Sequence, residues 1–410
     1  MLTSCYFGAS LDRAFALSRI NEINPPAYVW FMRLLYSCSE LGLGHASRTL
    51  ALGKRLEKRG HEVFFFTGGR AFQLLQREFK KTYPATPVSW YENAHGIITS
   101  ASLVNILFPL PIFNGEKSRF EIKNSSAMET TNRYYDLRRH IKEIKPDLVI
   151  ADGDIHALRM ANRWHFPSIY ITNLIRPTFG FSSFLNPGER FTERYVKNCS
   201  KIIIPDNPPP FTISEYNIGD LHSIGIKDKV EFVGSFMDTT LVKGSESHVF
   251  APISGPVGTR AKLTQMLIPA FEELGVKSVV SLGMVGEKKT VQTANCTVHS
   301  WLSTQEREEY MRNAKLVVFS GGHITCFETV KYGKPSVCVP TQPEQMGNGM
   351  KLQKLHCSVV ARNKEQLKSA VRIVEEQVVL FRSNVERLNE FSNKFNGLER
   401  AVEIIEETVR

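Results

Sequence analysis

Short apolar runs recur along the chain, each followed by glycine or small polar residues and then by apolar positions at helical spacing. In the first half these runs are Arg33 to Ser37, the HEVFFF stretch, PDLVI ahead of Asp152, FPSIYITN from Phe166, Lys201 to Pro205 and Val230 to Gly234. In the second half they are HVFAP, SVVSLG, Thr297 to Leu302, Leu316 to Phe319 and SVCVP. A run that is apolar on both faces suits a strand covered on both sides. Helix-period stretches follow: ASRTLALGKRLEKRG ending at Gly60, residues 261–275, ITCFETVKY, Lys364 to Gln377, and Val385 to Glu407. Strand, turn, helix, strand requires parallel crossovers, so the pattern predicts an α/β chain. Both halves open in this way, which predicts two similar domains: residues 32–238, a polar linker at 239–248, a second domain at 249–385 and a terminal helical segment at 386–410.

The most informative stretch is Ala314 to Leu355. After Phe319, Ser320, Gly321 and Gly322 make a tight turn into a helix that Gly333 and Pro335 stop. Backbone N–H groups at a helix N-terminus form an anion site suited to phosphate. Glu328 lies farther along that helix, and Gln345 is expected in a loop after the next strand. Both would reach the carboxyl edge of the sheet, where open α/β sheets bind ligands. A carboxylate accepts from ribose hydroxyls, and an amide both donates to and accepts from a sugar. The stretch reads either as a nucleotide-sugar cradle or as an ordinary glycine turn with Glu328 on a solvated helix face.

Gly321, Gly322, Thr325, Glu328, Gly333, Pro335, Pro340, Gln345 and Asn348 together resemble the donor-site motif of GT-B glycosyltransferases, in the branch related to MurG and the UDP-glycosyltransferases. The resemblance implies two Rossmann-like domains facing across a cleft, with the last helix crossing back to the first domain. It implies a nucleotide-sugar donor, UDP-linked, with no cofactor required. The diphosphate would lie on Ser320, Gly321, Gly322, His323 and Thr325, ribose on Glu328 and the sugar on Gln345. His323 and Cys326 depart from several members and leave the donor's identity open. Ser254 and Gly255 begin the first glycine turn of domain two, which in related enzymes contacts the diphosphate; here an ordinary strand–helix turn reads equally well. Trp301 is either a nucleobase platform or a core residue.

In domain one, Gly42 and Gly44 are expected to form a glycine loop after the first strand, on the acceptor side, followed by His45. G-x-G alone is weak evidence for a dinucleotide site, because the third glycine is missing. A neutral imidazole at the cleft can remove a proton from an acceptor hydroxyl, so His45 is the expected base; otherwise it binds backbone or donor phosphate. Asp152 and Asp154 follow a strand, and either could orient His45 or take the proton. Each could equally cap a helix. D-x-D also resembles the metal motif of GT-A enzymes, but those do not carry the glycine–Glu–Gln constellation, and no metal is expected. His156 is expected to be structural.

The 410 residues suffice for two domains with their own cores. The net charge of +10 suits acidic small molecules or an anionic membrane surface; no dense Lys/Arg block is present, so nucleic acid is not expected. The 7 cysteines are scattered and odd in number, which points to buried thiols in a reducing cytoplasm. No apolar run is long enough to span a bilayer. Residues 1–31 lack the layout of a signal peptide and are expected to lie outside the fold, with Met32 resembling a natural start. LVNILFPLPIF, Leu103 to Phe113, with Lys117, Arg119 and Lys123 beyond it, reads either as a buried loop or short helix, or as an acceptor-side lip touching lipid at the inner membrane face. The expected activity is hexosyl or N-acetylhexosaminyl transfer to a hydroxyl acceptor with inversion, lipid-linked on the lip reading. A GT-B sugar-nucleotide 2-epimerase and a non-catalytic binding subunit are the alternatives.

Overall fold

The structure, a computed structural model, describes residues 31–40, 42–86, 88, 90–93, 96–99, 107–114, 119–179, 193–255, 257–284 and 288–409. The expected extension at residues 1–31 lies outside these apart from Phe31.

The strands, numbered in chain order, are β1 Arg33–Cys38, β2 Glu62–Thr67, β3 Thr82–Pro84, β4 Trp90–Asn93, β5 Gly96–Thr99, β6 Leu110–Asn114, β7 Arg119–Lys123, β8 Leu148–Asp152, β9 Ser168–Ile171, β10 Lys201–Ile204 and β11 Val230–Phe232. The second half adds β12 His248–Pro252, β13 Ser278–Ser281, β14 Thr290–Gln292, β15 Cys296–His299, β16 Ala314–Phe319, β17 Ser336–Cys338 and β18 Ser358–Val360. They form a 7-stranded sheet in the order β11-β10-β9-β8-β1-β2-β3 and another in the order β14-β15-β13-β12-β16-β17-β18. All pairings in the first are parallel; in the second, β14 joins β15 antiparallel at one edge, which the apolar pattern did not predict because all of β14 is exposed. The first strand of each half sits mid-sheet, with the next strand in sequence on one side and a later strand on the other. The chain therefore reverses direction across the sheet between β1 and β8, and again between β12 and β16. Such switch points open a crevice at the carboxyl ends of the strands.

Each sheet has apolar clusters on both faces, which is why its strands read as unbroken apolar runs. In the first domain Leu35, Phe66 and Val149 point to one cluster and Leu34, Tyr36, Phe65 and Ile150 to the other. That second cluster takes in Ala401, Val402, Ile404 and Ile405 of the helix Gly397–Val409, so the last helix belongs to the first domain's core. Burying each aliphatic side chain contributes about 1.5–3 kcal/mol, which fixes this crossing firmly. The single segment expected over Val385 to Glu407 is two helices, Val378–Ser392 and Gly397–Val409, and only the second crosses. The turn between them brings Gly397 against the backbone of Gly234 and Ser235.

A buried ion pair supports the turn after β1. Arg133, on the helix Ser126–Ile144, is 1% exposed. It donates to Asp154 Oδ2 at 2.6 Å, to Glu40 Oε2 at 3.3 Å and to the Thr86 carbonyl at 3.0 Å. Asp154 also caps the helix Ile155–Arg163, accepting from the backbone of His156 and Ala157, and takes the Ser37 hydroxyl at 2.5 Å. Burial opposes the charged carboxyl, but Arg133, His156 and the hydrogen bonds from Arg133 and Ser37 outweigh it and take Asp154 down to about 2. The pair thereby joins β1, β8 and two helices beneath the crevice.

The LVNILFPLPIF stretch is described from Leu107 onward; residues 103–106 and the Lys117 position lie outside the described residues. It is not a buried loop there. Leu110–Asn114 pairs antiparallel with Arg119–Lys123, and Leu107, Phe108, Phe120 and Ile122 are all exposed. Lys123 is buried and paired with Glu129, so it is no surface cation. Among the described residues no helix is long and apolar enough to cross a membrane.

Two stability measurements follow from this packing. Gly397→Ala puts a Cβ 2.3 Å from the Ser235 carbonyl oxygen, and should lower unfolding free energy by about 1–3 kcal/mol in urea titration. Asp154→Asn strips Arg133 of its nearer counter-charge and leaves only Glu40 at 3.3 Å, at a cost of about 3 kcal/mol at neutral pH. The folded carboxyl, at about 2, lies below its ordinary value of 3.8. Its share of stability, about 2 kcal/mol, is therefore present above that ordinary value and fades as pH falls toward the folded one. The gap between wild type and Asp154→Asn should narrow over that window in acid unfolding.

Candidate active site

The carboxyl ends of β1 and β8 meet at His45. The expected glycine loop is instead the start of a helix, Gly42–Lys58, which follows β1 almost at once. Neither glycine takes a left-handed conformation, so nothing holds the chain out of the helix. Gly44 serves another purpose: it lies at van der Waals distance, 3.6 Å for an added Cβ, from Ile324 Cδ1 of the second domain. His45 is thereby held in the first helical turns at the mouth of the crevice.

His45 Nδ1 lies 2.7 Å from Asp152 Oδ1. Asp152 is the last residue of β8 and is fully buried. Arg48, one turn beyond His45, donates through Nε to both Asp152 oxygens at 2.8 Å and through Nη2 to Oδ1. Tyr36 and Thr49 hydroxyls approach the same carboxylate at 3.4 Å. Burial alone would raise the Asp152 carboxyl, but the Arg48 charge, with the bonds from His45 and Arg48, holds it below its ordinary value. An ionised carboxylate only accepts, so Nδ1 carries the ring hydrogen and Nε2 keeps a free lone pair. Arg48 Nη2 is also 2.8 Å from Nδ1, and since arginine only donates, Asp152 is the acceptor that both share. The imidazole lies flat against Gly153, where a Cβ would fall 2.4 Å from its Cε1 and where φ is +63°. Asp152 thus reaches His45 and Asp154 does not: its oxygens are taken by Arg133, Ser37 and the helix cap. The two aspartates of D-G-D face different partners and share no site.

The second crevice holds the expected donor residues. Gly321 takes φ +91°, and an added Cβ would meet the Gln345 carbonyl at 2.6 Å and Cys338 Sγ at 2.8 Å. Gly322 is the N-cap of the helix His323–Lys331. The N–H groups of its first turn have no intrahelical acceptor and face the crevice end of β16. The adjacent turn after β12, where Gly255 takes φ +108°, comes alongside: Ser254 Oγ is 3.4 Å from Ser320 Oγ. Thr325 is nearly buried in the same helical turn. Asn348 Nδ2 donates to the Gly321 carbonyl at 3.0 Å, which fixes the turn from behind.

Glu328 is not on a solvated face. Arg307, from the helix Thr304–Arg312, grips both of its oxygens, Nη2 at 2.7 Å from Oε2. Each oxygen keeps a second lone pair for a ligand hydroxyl. Gln345 lies not in a loop but in the first turn of the helix Pro343–Lys354, whose start is signalled by Pro343 at its head. Its Oε1 accepts from Thr341 N at 2.9 Å and Oγ1 at 2.8 Å, which leaves its NH₂ as the outward group. His323 turns its ring to domain one, Nε2 being 3.1 Å from Asp206 Oδ2. Asp206 is fully buried and also accepts from the backbone of Asn207, Ile213 and Ser214. Trp301 lies past the end of β15 and is 36% exposed.

Sequence reasoning missed Arg48, Gly153, Arg307 and the amides that join the domains. Arg48 had a signal, its position three residues after His45 on one helix face. Arg307 had none, because its partner is 21 residues away on another element.

Three comparisons agree with this geometry. Residues 283–407 match the glycosyltransferase family 28 C-terminal domain. A protein of Methanosarcina mazei described as an uncharacterized glycosyltransferase is 23% identical over 391 residues, covering 91% of this chain and 97% of its own. A Bacillus cereus UDP-N-acetylglucosamine–N-acetylmuramyl-(pentapeptide) pyrophosphoryl-undecaprenol N-acetylglucosamine transferase is 24% identical over 305 residues, covering 67% of this chain and 76% of its own. Among solved structures, the kitacinnamycin glycotransferase superposes with a TM-score of 0.66 at 14% identity, covering 93% of this chain and 100% of its own. Acinetobacter baumannii MurG superposes with a TM-score of 0.55 at 14% identity, covering 91% and 99%. With two sheets that each open a crevice at a switch point and a match to the family 28 C-terminal domain in its second half, the chain has the GT-B glycosyltransferase fold and is similar to the MurG and UDP-glycosyltransferase branch.

Proposed function

We propose that the protein transfers a hexosyl or N-acetylhexosaminyl group from a UDP-linked donor to an acceptor hydroxyl, with inversion at the anomeric carbon. The observation that carries this reading is the His45–Asp152 pair standing across the cleft from the Gly321–Gly322 turn, with Gly44 beside Ile324 of the donor helix. The diphosphate lies on the turn and the free N–H groups of the helix His323–Lys331, aided by Ser254 and Ser320. Ribose hydroxyls donate to Glu328, held in place by Arg307, and the sugar meets the Gln345 amide. The acceptor oxygen attacks the anomeric carbon, and the bond from that carbon to the diphosphate oxygen breaks with its electron pair. Nucleoside diphosphate departs, and the hydroxyl proton passes to His45 Nε2. Asp152 stabilises the imidazolium so formed. The reading requires no cofactor.

The acceptor we propose is lipid-linked. Leu107, Phe108, Phe120 and Ile122 expose apolar side chains on or beside one hairpin of domain one, and the chain carries net charge +10. Such an arm suits peripheral contact at an anionic membrane face.

Titration calorimetry with UDP, GDP, dTDP and their sugar conjugates tests the donor site. UDP conjugates should bind, and Glu328→Ala should weaken them about tenfold or more. Unchanged affinity in that variant would remove Glu328 from the site. His45→Ala should lower kcat by about 100-fold or more with donor affinity little changed; equal losses in both would make His45 a binding residue. Replacing Leu107, Phe108, Phe120 and Ile122 by serine should cut sedimentation with phosphatidylglycerol vesicles by about tenfold or more. A folded variant that sediments like wild type would count against the membrane arm.

A further inference from the structure

The base and the donor cradle lie on different domains, yet the chemistry needs both within a fraction of an ångström. A misplacement of about 1 Å can cost about 100-fold in rate. We propose that Asn173 is a positioning residue that ties the His45–Asp152 pair to the donor-binding helix. The inference rests on the transfer reading above and adds to it a residue that touches neither substrate nor base.

Asn173 follows β9, is 5% exposed, and stands between the domains. Its Oδ1 accepts from Arg48 Nη1 at 3.2 Å, and its Nδ2 donates to Glu344 Oε1 at 3.0 Å. The orientation of the amide is fixed by its partners, since arginine only donates and a carboxylate only accepts. Arg48 is the residue that forks both oxygens of Asp152, and Asp152 orients His45. Glu344 precedes Gln345 in the first turn of the helix Pro343–Lys354. An unbroken hydrogen-bonded chain therefore runs from His45 through Asp152, Arg48 and Asn173 to the turn that carries the sugar-facing amide.

A second amide holds the same turn. Asn217 Nδ2 donates to the Glu344 carbonyl at 3.0 Å and to Asn348 Oδ1 at 2.8 Å, and Asn348 reaches the Gly321 carbonyl. The approach is close enough that a Cβ on Gly347 would fall 2.4 Å from Asn217 Oδ1. The Asn217 side chain donates only to the donor domain's scaffold. Asn173 alone of the two also meets the base assembly, which is why the positioning role falls to it. Only an amide serves there: aspartate accepts from Arg48 but repels Glu344, and alanine breaks both bonds.

The test follows UDP release from UDP-glucose and UDP-N-acetylglucosamine, with water as the acceptor hydroxyl, by wild type, Asn173→Ala, Asn173→Asp, Glu344→Gln and the Asn173→Asp/Glu344→Gln double variant, with thermal unfolding of each. Asn173→Ala and Asn173→Asp should lower kcat about tenfold or more while KM for the donor stays within about twofold. Glu344→Gln still offers Asn173 an acceptor and should cost about threefold or less. In the double variant the new glutamine amide donates to the new carboxylate and should recover about fivefold or more of the Asn173→Asp loss. Unchanged kcat in folded Asn173→Ala, KM rising in step with falling kcat, or no recovery in the double variant would each overturn the positioning role. If Asn173→Asp fails to fold, Asn173→Ala decides by its kcat alone. A wild type that releases no UDP from either donor would remove the transfer reading and the positioning role with it. Non-additive unfolding temperatures would then still report the bare contact between the domains.

Discussion

A buried carboxylate at the carboxyl end of β8 organises the acceptor half of the site. Asp152 has no exposure to water, and a charge there is stable only because Arg48 forks it and the His45 ring donates to it. Three constraints converge on that position. The strand ladder holds its backbone, with Asp152 opposite Cys38 of β1 and Ile171 of β9. The helix Gly42–Lys58 brings His45 and Arg48 together on one face. Gly153 leaves room for the ring. Removing Arg48 would leave an uncompensated charge in the core, so the orientation of His45 and the stability of the domain are linked.

The donor half solves the opposite problem, presenting positive character without a lysine or arginine in the turn. Gly321 in the left-handed region lets the chain bend sharply off β16, and Gly322 caps the helix so that its first N–H groups face the crevice. Arginine acts one step back, with Arg307 orienting Glu328. In both halves, then, a guanidinium holds a carboxylate at the crevice: Arg48 holds Asp152 and Arg307 holds Glu328. The two halves meet through amides and the His323–Asp206 contact, and through apolar packing of Phe211 and Ile213 of domain one against Phe327, Val330, Leu388 and Phe391. Hydrogen bonds set a register between domains that hydrophobic contact alone would leave free to slide.

The opposite edge of domain one has another character. Its β6–β7 hairpin shows Phe120 and Ile122 to solvent, and Lys123 at its end is buried and paired with Glu129.

By itself the sequence determined the layered α/β fold, because strands covered on both faces must be apolar throughout and helices between them must be amphipathic. It also made the proposed donor turn legible: Gly321, Gly322, Glu328 and Gln345 lie within one strand–turn–helix–strand–helix unit, where local spacing sets geometry. It also singled out His45 and the D-G-D pair as chemistry-bearing. Which aspartate serves His45 was decided only in three dimensions. Asp152 ends β8 and Asp154 caps the next helix, with Gly153 at φ +63° turning the chain between them, so that one faces Arg48 while the other faces Arg133 and the helix cap. Side chains two residues apart share little local signal that distinguishes such fates. Tertiary structure alone likewise decided the partners of Glu328, Asn173 and Asn217, since their contacts join residues 21, 171 and 131 apart in sequence. Such contacts follow from the docking of whole elements, which is set by the shapes of packed faces and leaves no period or motif in the chain.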